Sequence, residues 1–196
     1  MTATRQWPPL QIATPNIFLV LCLLPKGQCI DTLSLYYLMS LKSYGMDKHL
    51  LIIAHAPSPN TQTLLKTIND ASNKSQCIVT SLSAFETTPE HIIQADAVIL
   101  FTPENLSYMS GAMKDMFDRC YYPVLEKKQG LPVAAIVRAG HDGTGTVKAL
   151  QTIITGLRWR WVQEPLVLRG DYQDAFNEQV SELAEGMSIA LAEGII

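Results

Sequence analysis

Three short apolar runs in this chain each break off into a polar, turn-rich loop, and each loop leads into a segment of helical spacing. Leu50 to Ala54 runs into His55-Ala56-Pro57-Ser58-Pro59-Asn60-Thr61, and Ala97 to Phe101 into Thr102-Pro103-Glu104-Asn105-Leu106-Ser107-Tyr108. Val133 to Val137 runs into Arg138-Ala139-Gly140-His141-Asp142-Gly143-Thr144-Gly145. Continuous apolar runs of this kind suit strands covered on both faces. Strands of a parallel sheet all end at one edge, so the three loops meet in space and can build one ligand site.

The segments between and after these runs keep the alternation. Leu64, Leu65, Ile68 and Ala71 fall at helical spacing, Cys77 to Thr80 reads as a short second strand, and Pro89 to Gln94 as a brief helix. Thr88 is the expected N-cap of that helix, with Pro89 in its first position. Met109, Ala112, Met113, Met116, Phe117 and Cys120 form one helical stripe. Val147, Leu150, Ile153, Ile154 and Leu157 form another helix, Trp161 to Leu168 a fifth strand interrupted by Pro165, and Phe176, Val180, Leu183, Met187 and Leu191 a closing helix. Five strands alternating with helices predict a parallel sheet with right-handed crossovers, a three-layer α/β sandwich.

The first 45 residues differ from the rest. Trp7-Pro8-Pro9, Pro15 and Pro25 interrupt them, and the apolar run Ile17 to Leu24 is far short of the roughly 20 residues that span a bilayer. Pro15 and Asn16 precede that run where basic residues belong and no small-x-small site follows before Lys26, which speaks against a secretory signal. The expected organisation is an N-terminal extension, 1–45, outside the fold, and one domain over 46–196. A formal charge of -3 gives no electrostatic footprint for nucleic acid and no basic cluster for an anionic membrane, so the expected partner is a small molecule. Cys22, Cys29, Cys77 and Cys120 lack CxxC or metal-ligand spacing and read as reduced thiols of a cytoplasmic protein, with no metal site.

Each loop carries two readings. Ser58, Asn60 and Thr61 stand where a helix N-terminus can bind a phosphate, or where Ser58 or Asn60 is only a cap. Pro103, Glu104, Asn105, Leu106 and Tyr108 offer a stiff exit, hydrogen-bonding groups and flat or apolar surface, or simply a turn closed by Ser110 as cap. Gly140, His141, Asp142 and Gly143 allow close backbone approach to a ligand, or form a plain connection capped by Asp142. Neither a Walker lysine nor a Gly-x-Gly-x-x-Gly turn is present, which disfavours triphosphate hydrolysis and the usual dinucleotide turn. His141 beside Asp142 has no serine or cysteine elbow to serve, so no catalytic side chain is assigned.

Ser58-Pro59-Asn60-Thr61, the segment from Thr102-Pro103-Glu104-Asn105 through Met109-Ser110-Gly111-Ala112-Met113-Lys114-Asp115-Met116-Phe117-Asp118-Arg119, and Ala139 to Gly145 together resemble the flavodoxin-like superfamily. The likeness is to its short-chain flavodoxin and NAD(P)H-dependent FMN reductase or quinone reductase group, over about Met46 to Leu191. It implies strand order 2-1-3-4-5, with FMN at the switch point between the first and third strands. It further implies that Ser58, Asn60 and Thr61 hold the FMN phosphate and that Pro103, Glu104, Asn105 and Leu106 line the isoalloxazine. Gly140, His141, Asp142 and Gly143 approach it from the far side. Leu106 and Ser107 stand where many relatives carry an aromatic residue and a glycine, which leaves Tyr108 to supply any stacking.

The function so implied is an FMN-dependent NAD(P)H oxidoreductase passing electrons to a flavin, quinone or similar acceptor, with a homodimer suggested by the resemblance alone. The alternatives are a flavodoxin-type electron carrier without a nicotinamide site, and a flavin-free binding domain on the same fold. From Met46 onward 12 Lys and Arg face 17 Asp and Glu, a balance of -5, too mild to mark a strongly acidic carrier.

Overall fold

The computed structural model describes residues 48–196. The expected extension, its apolar run, Cys22 and Cys29 lie outside the described residues.

Three strands form the centre of the sheet: β1 (His49–Ala54), β3 (Ala97–Asn105) and β5 (Pro132–Ala139). Their side chains alternate between two faces, as strand geometry requires. Leu51, Ile53, Val98, Leu100, Val133, Ala135 and Val137 point to one core, and Leu50, Ile52, Ala97, Ile99, Phe101, Ala134 and Ile136 to the other. Both cores need a cover, and helices on both faces supply it. α2 (Pro89–Gln94), α3 (Gly111–Val124) and α4 (Thr144–Gly156) cover the first, while α1 (Pro59–Ser72) and α5 (Ala175–Ala192) cover the second. The stripe Met109, Ala112, Met113, Met116, Phe117 and Cys120 is buried in full, and Phe176, Val180, Leu183, Met187 and Leu191 are buried on α5. Burial pushes the Cys120 thiol pKa up, consistent with an inert, reduced side chain.

Parallel pairing runs β2-β1-β3-β5-β6, with β2 (Ile78–Ser83) at one edge and β6 (Arg160–Trp161) at the other. β7 (Leu166–Arg169) pairs with the far half of β5, Ile136 against Leu166, so β6 and β7 together occupy the place of the fifth strand. The order is therefore the expected 2-1-3-4-5, but the sheet holds seven ladder segments rather than five. One extra arises where Gln163-Glu164-Pro165 leaves the sheet, since proline has no N-H to add to a ladder. The other is β4 (Tyr108–Met109), which turns back antiparallel on β3 with Glu104 opposite Met109 and Asn105 opposite Tyr108. Trp159 is buried, and Trp161 is half-buried, as sheet-end packing requires.

Local caps hold the helices in register. Thr88 precedes Pro89 at the start of α2, as expected, and Ser110 Oγ accepts from Met113 N at 3.2 Å to start α3. The pairs Lys114–Asp118 and Arg119–Asp115 form on the surface of α3. Arg119 does more than decorate that face, because its guanidinium donates to Thr87 O at 2.7 Å and Ala84 O at 2.8 Å, fastening the β2–α2 connection to α3.

α4 ends in a Schellman arrangement, with Trp159 N donating to Ile154 O and Arg158 N to Thr155 O. The residue at the left-handed position, φ 57°, is Arg158, where glycine is the relaxed choice. Arg158→Gly is expected to stabilise the domain by about 1 kcal/mol. Urea denaturation at unchanged m-value measures the gain, and a loss of stability would show that the arginine side chain outweighs the backbone cost.

Candidate functional site

At the carboxyl edge of the sheet the connection after β1 enters α1 through a closed capping box. Ser58 Oγ accepts from Thr61 N at 3.3 Å, and Thr61 Oγ1 accepts from Ser58 N at 2.9 Å while donating its own proton to Ser58 O at 2.8 Å. Thr61 is buried and its hydroxyl proton is engaged, so it shapes the loop from inside. Ser58 and Asn60 are exposed, and with the Thr61 proton on Ser58 O the Ser58 hydroxyl donates to Thr61 Oγ1 at 3.0 Å. Pro57 and Pro59 have no N-H, and His55 N is taken by Phe101 O at 2.9 Å. Among the described residues that leaves Ala56 N, Asn60 N and the Asn60 amide as donors at the electropositive end of a fourteen-residue helix, and the Ser58 hydroxyl joins them only by turning away from Thr61.

His55 packs edge-on against Phe85 with ring centroids 5.8 Å apart, and its Nδ1 has no partner among the described residues. Burial holds the imidazole pKa below its ordinary range, so the ring is neutral at neutral pH. Phe85, on the connection after β2, is largely exposed and flanks this end of the site. No sequence signal marked it, because its partner stands thirty positions away on a neighbouring strand.

The connection after β3 is a tight hairpin. Thr102 and Pro103 are buried, and Thr102 Oγ1 accepts from Ser110 N at 3.1 Å, closing the base of the turn against the start of α3. Leu106 (φ 49°) and Ser107 (φ 62°) both lie in the left-handed region, the backbone of a type I′ turn that normally carries Asn-Gly. Leu106 is fully exposed at the tip, Asn105 is exposed beside it, and Tyr108 is 40% exposed on the return strand. Across the tip, a Cβ placed on Gly145 would stand 2.0 Å from the Ser107 carbonyl oxygen, so glycine there is what lets the hairpin rest on α4.

Glu104, at the foot of the hairpin, reaches the third connection. Its Oε2 accepts from His141 N and its Oε1 from Gly143 N, both at 3.1 Å. Gly143 is the N-cap of α4 at φ 75°, where a Cβ would meet Val167 Cγ1 at 2.5 Å. Asp142 Oδ1 accepts from Thr144 N at 2.9 Å, and that backbone N-H, followed by the Thr144 hydroxyl, holds the Asp142 carboxyl below the usual carboxylate range. A depressed folded pKa means that this cap is complete above the unfolded value and is lost as pH falls through the lower folded one. Arg169 Nε donates to Asp142 O, and Arg138 donates to the carbonyls of Ala139, Leu168 and Gly170, bracing the loop from beneath. His141 and Asp142 are exposed, and Gly143 is buried.

Gly140 differs from its neighbours. Its φ is ordinary and nothing lies within 4 Å of a Cβ built on it, so no packing among the described residues requires glycine there. Open space at the Cβ position, beside two loops joined by Glu104, is what the close approach of a flat ligand needs.

The family model for NADPH-dependent FMN reductases matches residues 19–174. The chain belongs to that family. The match begins ahead of Met46 and takes in the connections after β1, β3 and β5. Among solved structures the chain is similar to a flavodoxin from the domain Archaea, with TM-score 0.63 and 15% identity over 71% of this chain and 96% of that one. It is also similar to an oxidoreductase from Corynebacterium diphtheriae, with TM-score 0.57 and 16% identity over 76% and 99%. A third likeness is to rubredoxin oxygen:oxidoreductase from Desulfovibrio gigas, with TM-score 0.61 and 15% identity over 83% of this chain but 39% of that one. These structures share the flavodoxin-like fold. The cofactor implied by the family fits the residues present: three free neutral donors at the α1 N-terminus suit a phosphate, and the open Cβ position at Gly140 suits the approach of a ring.

The strained tip is testable. Replacing Leu106-Ser107 by Asn-Gly is expected to raise stability by about 1–3 kcal/mol, because both residues then suit positive φ. Gly145→Ala is expected to destabilise through its clash with Ser107 O. Chemical denaturation reads both, and a neutral Asn-Gly variant would mean that the turn is not held in the left-handed region in solution.

Proposed function

We propose that this chain is an FMN-dependent NAD(P)H oxidoreductase that passes electrons to a flavin, quinone or similar small acceptor. The observation that carries the reading is the pairing, at one sheet edge, of a donor-lined helix N-terminus with an exposed Gly140 whose Cβ position is open. Ala56 N, Asn60 N and the Asn60 amide hold the phosphate, joined by Ser58 Oγ as its proton turns from Thr61, with Thr61 shaping their loop from within. Tyr108 supplies aromatic surface, Pro103 stiffens the strand exit from its buried position, Asn105 and Leu106 border the ring, and Gly140 and His141 approach from the opposite side. When bound, FMN supplies the hydride and electron chemistry, while the protein binds, orients and shields it. This division of labour accounts for a site in which no side chain forms a nucleophile–base pair.

A flavodoxin-type carrier is the second reading, favoured by one observation: the fully exposed Leu106 at the hairpin tip suits contact with a protein partner. The two separate optically. An oxidoreductase bound to FMN is bleached anaerobically by NADPH or NADH, whereas a carrier keeps its visible absorbance until a partner reductase is added.

Gly140→Ala tests the ring position. Stability is expected to stay level or rise by about 0.4–1 kcal/mol, since the backbone is compatible with alanine, while FMN affinity falls at least several-fold. Asn60→Asp is expected to weaken FMN by about tenfold through repulsion of the phosphate. Flavin fluorescence titration measures both, and unchanged affinity in the two variants would remove this edge as the FMN site.

A further inference from the structure

Both oxygens of the Glu104 carboxylate are engaged inside the chain. They accept from His141 N and Gly143 N, 37 and 39 residues away in sequence, and these two N-H groups stand at the N-terminus of α4. A carboxylate is well suited to that place, because the helix end is electropositive and Gly143 has no intrahelical acceptor for its N-H. The donor pair is itself fixed: Gly143 is confined to its left-handed conformation against Val167, and Arg169 anchors the intervening Asp142 carbonyl. On the other side, Glu104 is paired with Met109 at the foot of the hairpin. One carboxylate thus bridges the hairpin and the Gly140–Gly143 loop.

We propose that Glu104 is a positioning residue that sets the separation of the hairpin and the Gly140–Gly143 loop, and does not itself contact the flavin. This rests on the reading of the cleft as an FMN site, and it gives Glu104 a different role from that of a ring-lining residue. The carboxylate compensates the α4 N-terminus. Gly140, on the same loop, has an open Cβ position and is left to face the ring. The geometry also explains how Leu106 and Ser107 are kept at positive φ: Glu104 holds the foot of the hairpin and the Ser107 carbonyl rests on Gly145 at its tip.

Glu104→Gln tests the proposal, because an amide retains the size of the side chain but presents an acceptor to only one of the two N-H groups. Glu104→Asp, shorter by one methylene, is the second variant, and Asn60→Asp the control that disturbs the phosphate end. Hydrogen exchange at the His141 and Gly143 amides, FMN affinity and the vibrational structure of the bound flavin's visible band are followed in the full chain. Glu104→Gln is expected to speed exchange about tenfold at whichever of the two amides faces the NH2 group, and to weaken FMN by about tenfold, with loss of structure in the visible band. Glu104→Asp is expected to fall between it and the wild type, and Asn60→Asp to weaken FMN with exchange unchanged. Unchanged exchange in Glu104→Gln would overturn the bridge. Faster exchange with unaltered affinity and band shape would overturn the positioning role. Titration of the wild type separates the two levels: if it takes up no FMN the cofactor reading fails, and exchange alone then decides whether Glu104 joins the loops.

Discussion

The burial of β1, β3 and β5 on both faces is the constraint from which the rest follows. Strands with apolar side chains pointing both ways need helices above and below, and parallel strands so covered are joined by crossovers that return the chain to the same starting edge. Every strand-to-helix connection therefore leaves at the opposite edge, where β1, β3 and β5 deliver Ser58, Glu104 and Gly140 to one place. The site is a consequence of how the core is closed.

At that edge most polar groups are already engaged with one another. The capping box uses Thr61 and the amide of Ser58, Thr102 and Ser110 close the hairpin base, and Glu104 joins the hairpin to the start of α4. Such internal satisfaction is what makes an edge of loops rigid enough to present the few groups left over. Those groups are unlike at the two ends: small neutral donors at α1, and open backbone with apolar and aromatic surface beside the hairpin. A ligand with a phosphate at one end and a flat ring at the other matches this division.

Much of this was legible in the residues before the fold was known. Strand exits, the Met109 to Cys120 stripe and the caps at Thr88 and Ser110 depend on neighbours a few positions apart, which periodicity reports directly. The hairpin return at Tyr108–Met109 was not legible, because Leu106-Ser107 lacks the Asn or Gly that marks a left-handed turn. The partners of Glu104 and the pairing of His55 with Phe85 are set by strand order, and no local pattern encodes them. Thr61 shows a subtler limit: a hydroxyl at a helix start looks the same in sequence whether it faces a ligand or closes its own cap. Gly140 and Gly145 likewise look alike, yet Gly145 is demanded by the Ser107 carbonyl and Gly140 by nothing among the described residues.

The central claim is that a phosphate at the α1 N-terminus and a ring beside Gly140 are held by one continuous site. Comparing the affinities of FMN and riboflavin for the same chain tests it directly, since the two ligands share the ring and differ in the phosphate. The account predicts that FMN binds at least tenfold more tightly, in keeping with about 1.4 kcal/mol or more from the phosphate contacts, and that Asn60→Asp removes most of that difference. Equal affinities for the two ligands would contradict it.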